Sequence, residues 1–486
     1  MNEQANSKKK EVSYKRYLPL LIGSVIGIGI IAWTSYQVQQ SRLQQSTGGR
    51  DTSELFASNK SHSNSAGMCG TPEPAVHACF KAKSGLCEED LQAARIAWKY
   101  YENNYQPKTG LVNSANKYPS TTMWDTGSAL AATIAAHDFG FIEKKDFDDR
   151  IVALIKTLST MKLFNGEAPN KVYNTKSGKM VDYRNQPTED GIGVSTLDLA
   201  RLVSWMNALA CKYPKFNTQA SKVLSRWNYD RLIDKGQMYG LALDPVSKKI
   251  RVLQEGRLGY EQYAGKVFKE LGFDQSVAAT YNNEFRSNID IYDVPIAFDS
   301  RDPRQLGAYN YVVTESYGLD VMEHGYDTEN RSLVRNIYDV QKERFKRTGI
   351  VTAVSEDNVD QKPYFIYNTI FTAGLPWNTT TDRGVQYNDL KSVSTKAALT
   401  LALLYPEDEY TQVLKSQVES AYDPKKGWYS GVYENGNGYN KATTANTNGI
   451  VLSTLLFKKY GSIYELCNAC GRKLRLDPSI YKRQLK

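Results

Sequence analysis

Residues 253–265, LQEGRLGYEQYAG, hold two carboxylates, Glu255 and Glu261, with Arg257, Tyr260 and Tyr263 around Gly256 and Gly259. The stretch joins a strand-like run to a helix-like run, and glycine lets such a loop approach a ligand closely. Functional groups collect on loops held by a rigid scaffold. Four more loops concentrate carboxylates and aromatics. Residues 119–125 carry Trp124 and Asp125; residues 185–193 carry Glu189 and Asp190. Residues 310–315 end at Glu315, and residues 353–358 hold Glu356 and Asp357. Trp377, Trp428, Asn446 and Asn448 stand in further polar loops.

This mixture suits carbohydrate. Flat rings stack on the C–H faces of sugars, and amides and carboxylates meet the hydroxyls. Inverting hydrolysis needs one protonated carboxyl for the leaving oxygen and one carboxylate to activate water, about 6.5–9.5 Å apart. Loops from separate helix pairs can set such a spacing. No helical periodicity accounts for Glu255 or Glu356, so Glu255 is assigned as general acid and Glu356 as base, with Asp125 and Glu261 in reserve. Trp124, Tyr260, Trp377 and Trp428 are assigned as sugar platforms; Arg257, Asp357, Asn446 and Asn448 are further substrate contacts.

Structural roles compete with each assignment. Asp125 also fits a helix N-cap, Glu261 a solvated position near a helix start, and Glu315 the positive end of a helix dipole. Trp98 and Trp205 fall on apolar faces and read as core. Asp357, Asn358 and Asp360 are oxygen ligands of the kind calcium takes, but they lack the full EF-hand spacing. No cofactor or metal is therefore expected, calcium being the one cation that loop could hold. There is no G-x-S-x-G elbow. No phosphate-binding glycine loop follows a strand into a helix.

About eleven helical patterns, roughly 30 residues apart, must position these loops. They include residues 125–140, 147–161, a run capped by Ser195, and residues 219–234, 259–271, 315–322, 328–346, 392–404, 409–421 and 447–460. Asp125 or Thr126 fits the cap of the first of these, and Gly140 its stop. Residues 171–183 read as a β-hairpin, as do residues 239–243 with 250–253. Helices without a βαβ rhythm indicate an all-α body. Such pairs stack as an open solenoid or close into a ring. Long loops and the lack of a sequence repeat favour the closed ring, where loops at one end converge on one pocket.

The 486 residues carry a net charge of +9. Residues 1–16 hold five basic and two acidic side chains and residues 471–486 six and one, leaving +1 for everything between. A near-neutral body lacks the charge of a nucleic-acid binder, so no nucleic-acid partner is expected. Residues 18–33, LPLLIGSVIGIGIIAW, are uncharged and follow a basic flank. They read as a signal anchor at the short limit of a membrane span, with a cleaved signal peptide as the rival. The expected organisation is a cytoplasmic tail (1–17), the anchor (18–33), a tether (34–67), a cysteine-containing segment (68–88), the helical body (89–460) and a basic C-x-x-C tail (461–486). The expected location is the inner membrane, single-pass, with the body in the periplasm. Six cysteines fit an oxidising compartment. Cys211, within a helical pattern, reads as a buried free thiol.

The motifs YPSTTMWDT (118–126), PNKVYN (169–174), LQEGRLGY (253–260), VTAVSEDN (351–358) and TANTNG (444–449), in this order, resemble a bacterial family of uncharacterised, glucoamylase-like exported proteins. The resemblance spans roughly residues 89–460. It implies an (α/α)6 toroid, a fold of many polysaccharide hydrolases and lyases, and supplies no catalytic pair. The expected fold is thus all-α, an (α/α)6 toroid with short β-hairpin insertions, preceded by one transmembrane helix. The expected partner is a polysaccharide or oligosaccharide. The leading function is hydrolysis of a glucan or exopolysaccharide; rivals are a lyase, a non-catalytic polysaccharide-binding component of an export or biofilm system, and a structural protein of the peptidoglycan layer.

Overall fold

The computed structural model describes residues 82–303 and 309–484. All of them lie in the compact unit 62–486. The expected anchor, tether and most of the cysteine segment lie outside the described residues. Among the described residues no helix is long and apolar enough to cross a membrane.

Six helices form an inner ring: α2 (Met123–Asp138), α4 (Thr196–Lys212), α6 (Tyr260–Glu270), α7 (Thr314–His324), α9 (Thr395–Leu404) and α11 (Ala445–Tyr460). Each packs on the next, and α11 packs back on α2, so the ring closes. Outside it lie α1 (Glu88–Asn104), α3 (Lys144–Thr160), α5 (Asn217–Ser225), α8 (Asn330–Thr348) and α10 (Glu409–Val418). Outer and inner helices alternate along the chain. Between α6 and α7 the place in this alternation is taken by a hairpin, Arg286–Ile291 with Val294–Asp299, which packs on α8.

Composition separates the two layers. The sequences of α2 (MWDTGSALAATIAAHD) and α9 (TKAALTLALL) are apolar nearly all round, as enclosed helices must be. Outer α3 buries only Phe147, Ile151, Leu154, Ile155 and Leu158, one stripe at helical spacing. Small residues let the inner helices approach: a Cβ on Gly127 of α2 would stand 2.8 Å from the Arg201 backbone of α4.

Two small sheets carry site residues. Strands Gly193–Val194, Ile233–Asp234, Gln237–Leu243 and Ile250–Gln254 form one, with Leu241 opposite Val252. Strand Phe365–Asn368 lies between Glu356–Asn358 and Thr379–Thr380 in the other.

Several local expectations are corrected. The cap of α2 is Thr122, whose hydroxyl accepts from the Asp125 amide at 3.1 Å. The pattern over 219–234 becomes a helix only to Ser225; Asn228 then turns the chain by accepting from the Asp230 amide at 2.9 Å, and Ile233–Asp234 is a strand. The arms of the 171–183 segment meet at a single bridge, Tyr173 with Met180, while Tyr173–Asn174 pairs with Ser120–Thr121. Cys211 is not a free thiol: it is disulfide-bonded to Cys467. The residues after Tyr460 pack on the body through α12 (Ile463–Ala469) and through buried Leu474, Leu476 and Ile480.

Candidate active site

The first turns of the inner helices face one end of the ring, and their side chains meet there. On α2, the Trp124 indole donates to Asn446 Oδ1 of α11 at 3.0 Å. Asn446 in turn donates from Nδ2 to Glu315 Oε1 of α7 at 2.9 Å. The other Glu315 oxygen contacts Lys396 of α9, and Lys396 Nζ stands 3.5 Å from Asp357 Oδ1. The Trp124 ring meets Tyr260 of α6 edge-on, with centroids 5.6 Å apart. Five inner helices are thus tied by one chain of contacts, and the positive ends of their dipoles point into the same space.

Among the described residues, Glu356 lies in this group without an ion pair. Burial, reinforced by the Glu315 carboxylate, pushes its pKa up to about 8 against the pull of Lys396, and the Tyr260 hydroxyl lies beside it. Burial pushes Asp357 up to about 6, again opposed by Lys396. Burial also works against the charge on Lys396, but Glu315, Asp357 and Glu356 outweigh it and keep the ammonium charged. Glu356 and Tyr260 are only partly buried.

A second carboxylate group sits at the starts of α2 and α4. Thr122 Oγ1 donates to Asp125 Oδ2 at 2.9 Å. Burial raises the Asp125 pKa, while hydroxyls of Ser114 and Thr122 and the Lys396 charge favour its ionised form. Asp198, in the first turn of α4, is pushed up to about 7 by burial and by the neighbouring Glu255. Glu255 receives the Thr196 amide at the start of α4. Burial raises its pKa too, opposed by Lys171, Ser195 and the amides of Thr196 and Leu197. Its carboxylate fills the gap over Gly240, where a Cβ would stand 2.8 Å from Oε2.

Other expected site residues are committed elsewhere. Glu261 is wholly buried in an ion pair with Arg301 and accepts from Gln254 at 2.8 Å, so its carboxylate is closed to solvent. Arg257 is buried and donates to Gln254 Oε1 at 2.6 Å and to the Gly256 carbonyl. Trp428 is core: its indole donates to the Ala93 carbonyl at 3.0 Å. Asn448 is buried and holds Trp428 through its amide, at 2.8 Å. Trp377 packs on Tyr292 and under Arg344 of outer helix α8. The 357–360 loop does not present a cation site. Asp357 faces Lys396, and Asp360 accepts from the Tyr433 hydroxyl at 2.6 Å and the Lys441 amide at 2.9 Å. Among the described residues no cluster of His, Cys, Asp and Glu could hold a metal ion.

Residues 92–461 match a family described as protein of unknown function (DUF3131). The chain belongs to this family. No curated protein matches it in sequence. Among solved structures, a candidate glucoamylase of Bacteroides caccae is similar with a TM-score of 0.59 at 13% identity, over 81% of this chain and 96% of that one. An endo-β-1,2-glucanase of Chitinophaga pinensis, solved with sophorotriose and glucose, gives 0.56 at 12% identity, over 81% and 99%. An endo-β-1,2-glucanase of Talaromyces funiculosus, solved with sophorose, gives 0.54 at 14% identity, over 78% and 85%. The helical ring of this DUF3131 member is therefore a glucoamylase-like toroid.

Three residues at the heart of the site were not singled out from sequence. Asp198 follows its cap Ser195 by three positions, just as Asp125 follows Thr122; the repeated spacing is the signal that could have found it. Lys396 opens α9, where a cation opposes the helix dipole; that mismatch points to an anion nearby, here Glu315. Tyr367 leaves no such trace, because its partner Glu356 is set by strand register alone.

Proposed function

We propose that the chain is a glycoside hydrolase of the cell envelope that cuts a glucan or related exopolysaccharide by inverting hydrolysis, with Glu356 as general acid and Asp125 as general base. The observation that carries this reading is the split in carboxyl environments around the Glu315–Lys396 pair. Glu356, at about 8, holds its proton at neutral pH and stays open to solvent, as an acid that protonates a glycosidic oxygen must. Asp125 has hydroxyl donors and the Lys396 charge to favour its ionised form. Both lie within electrostatic reach of the Glu315–Lys396 pair, Asp125 on α2 and Glu356 on the strand Glu356–Asn358. Glu356 thus takes the acid role expected of Glu255, and Glu255 becomes a positioning group whose oxygen caps α4.

Trp124 and Tyr260 are the sugar-facing aromatics of this reading. Fold likeness to endo-β-1,2-glucanases makes β-1,2-glucan the first polymer to test. Residues 18–33 anchor the protein in the inner membrane, with the body in the periplasm. The absence of a free cysteine among the described residues agrees with an oxidising compartment.

The test is the release of new reducing ends by the purified full-length chain from a panel of bacterial glucans and exopolysaccharides, beside Glu356→Gln and Asp125→Asn. Cleavage lost in both variants, with folding intact, supports the assignment. Cleavage retained in either removes that residue from the chemistry. Binding without cleavage of any polymer turns the reading to a polysaccharide-binding component of an export or biofilm system.

A further inference from the structure

Tyr367 lies directly opposite Glu356 in the antiparallel pairing of Phe365–Asn368 with Glu356–Asn358, and Phe365 lies opposite Asn358. Alternation puts Glu356, Asn358, Tyr367 and Phe365 on one face of this small sheet, while Asp357 and Ile366 point to the other. The arrangement agrees with the burial pattern: Ile366 and Asp357 are buried, whereas Tyr367 is partly open and Phe365 is exposed.

The open face is paved with aromatic rings. Tyr311, from the loop that feeds α7, stacks on Tyr367 with centroids 3.6 Å apart and planes 8° apart. Phe365 meets Tyr367 edge-on at 5.3 Å. Tyr311 backs Tyr367, so the plane of that ring is set before any ligand arrives, which limits the entropy lost on binding. The two cross-strand pairs are two residues apart, about 7 Å along the strand, on the order of one sugar ring.

We infer that this sheet face, from Tyr367 out to Phe365, is the binding track for the leaving-group end of a glucan chain, so that the chain is held on the far side of Glu356 and cut internally. The inference rests on the glycoside hydrolase reading for the identity of the acid. A group that protonates a glycosidic oxygen touches the sugar that departs, and the surface continuing from Glu356 on its own sheet face is the one that departing sugar meets. Tyr367 supplies the platform and Phe365 extends it. Neither ring is needed there to fill a core: a 39% exposed phenylalanine beside a half-open tyrosine loses apolar burial by its placement. Their position is accounted for by a partner with apolar faces and polar edges, as a pyranose has.

The test measures binding rather than cleavage. Oligosaccharides of β-1,2-glucan, with β-1,3-, β-1,6- and α-1,4-linked series beside them, are titrated calorimetrically into Glu356→Gln protein from the disaccharide upward. Affinity should rise with chain length for at least one linkage. Phe365→Ala in the same background should weaken the longer oligosaccharides about tenfold and flatten that rise. Tyr367→Phe should keep the rise and Tyr367→Ala should abolish it. If Tyr367→Ala does not fold, Phe365→Ala decides, since its side chain supports little of the core. Unchanged affinities in Phe365→Ala, or no dependence on length in any series, overturn the track. Length-dependent binding that Phe365→Ala flattens, without cleavage by the native chain, keeps this face as a glucan-binding track but overturns its leaving-group assignment together with the hydrolase reading. Cleavage with unchanged affinities keeps the hydrolase reading and overturns the track.

Discussion

Lys396 holds Glu315: its ammonium contacts Glu315 Oε2 with both side chains shut off from solvent, at 3% and 0% exposure. No other cation is in contact with Glu315 among the described ion pairs, and Asp357 and Glu356 share the same positive charge. The pair joins α7 to α9 at the point where Glu315, Asp357 and Glu356 surround Lys396.

Lys396→Met should therefore leave several buried carboxyls without a counter-charge. Removing one partner of a buried pair costs about 3–5 kcal/mol. The loss should be largest at neutral pH and smaller near pH 5, where a larger share of those carboxyls is protonated. Without the ammonium, the Glu356 pKa should rise further above about 8, since Lys396, ahead of the Tyr260 hydroxyl, is the main influence that lowers it. Thermal unfolding at the two pH values measures the first effect, and an equal loss at both would contradict it.

As the proposed general acid, Glu356 should set an alkaline limit on activity. A general acid must carry its proton, so turnover should fall as pH rises through about 8. Glu356→Gln should lower kcat by about 10²- to 10⁴-fold. The same shift acts on stability with a definite sign. The folded pKa lies above the unfolded one, so the contribution is whole below the unfolded value, near 4.5, and is lost as pH rises toward about 8. Glu356→Gln removes that loss. It should match the native protein near pH 4 and exceed it at pH 8 by on the order of 1 kcal/mol or more. A variant less stable than the native protein at pH 8 would show that the carboxylate is favoured where it lies.

Glu255 should behave as a structural anion. It accepts the Thr196 amide at the positive end of α4, so Glu255→Gln should cost about 1 kcal/mol of capping. It also repels Asp198, whose pKa of about 7 falls when that charge is gone. The repulsion operates only where Asp198 is ionised. The destabilisation by Glu255→Gln should therefore be larger near pH 5.5 than near pH 8, read from melting temperatures of the variant and native chain. Activity should drop far less than in Glu356→Gln. A loss as deep as that of Glu356→Gln would return the acid role to Glu255.

The ring was legible because inner and outer helices have different compositions. The all-round apolar runs of α2 and α9 and the one-sided stripe of α3 are visible without coordinates. The strands Gln237–Leu243 and Ile250–Gln254 were readable from alternation and the turn between them. In the site, the loops were legible and the roles were not. Glu255 and Glu356 look alike in sequence, but one meets backbone amides and the other meets Glu315, and only the fold decides which. Trp428 and Trp377 look like platforms because tryptophan in a polar loop suits sugar; packing on α1 and α8 absorbs them instead. Cys211 was misread because its partner lies 256 residues away, on a helix whose docking no local pattern reveals.

That disulfide yields the last prediction. Cys211 sits in inner helix α4 and Cys467 in α12, beyond the ring-closing helix α11. The bond closes a loop with a sequence separation of 256, from the end of α4 past α11, where the entropy removed from the unfolded chain is large. Both cysteines are wholly buried, so reductant should reach them only after local opening of α12. Cys211→Ala with Cys467→Ala should lower stability by about 2–4 kcal/mol. The cost should appear as earlier unfolding in denaturant, while the slope rises because the unfolded chain is less compact. Leu474, Leu476 and Ile480 still hold the C-terminal segment on the body in the variant, so the helical signal of the folded state should be kept. Limited proteolysis distinguishes the two contributions. If the disulfide alone holds α12 down, cleavage after Tyr460 will be rapid in the double variant; if packing suffices, the variant will resist protease at 25 °C and differ from the native chain only in its unfolding midpoint.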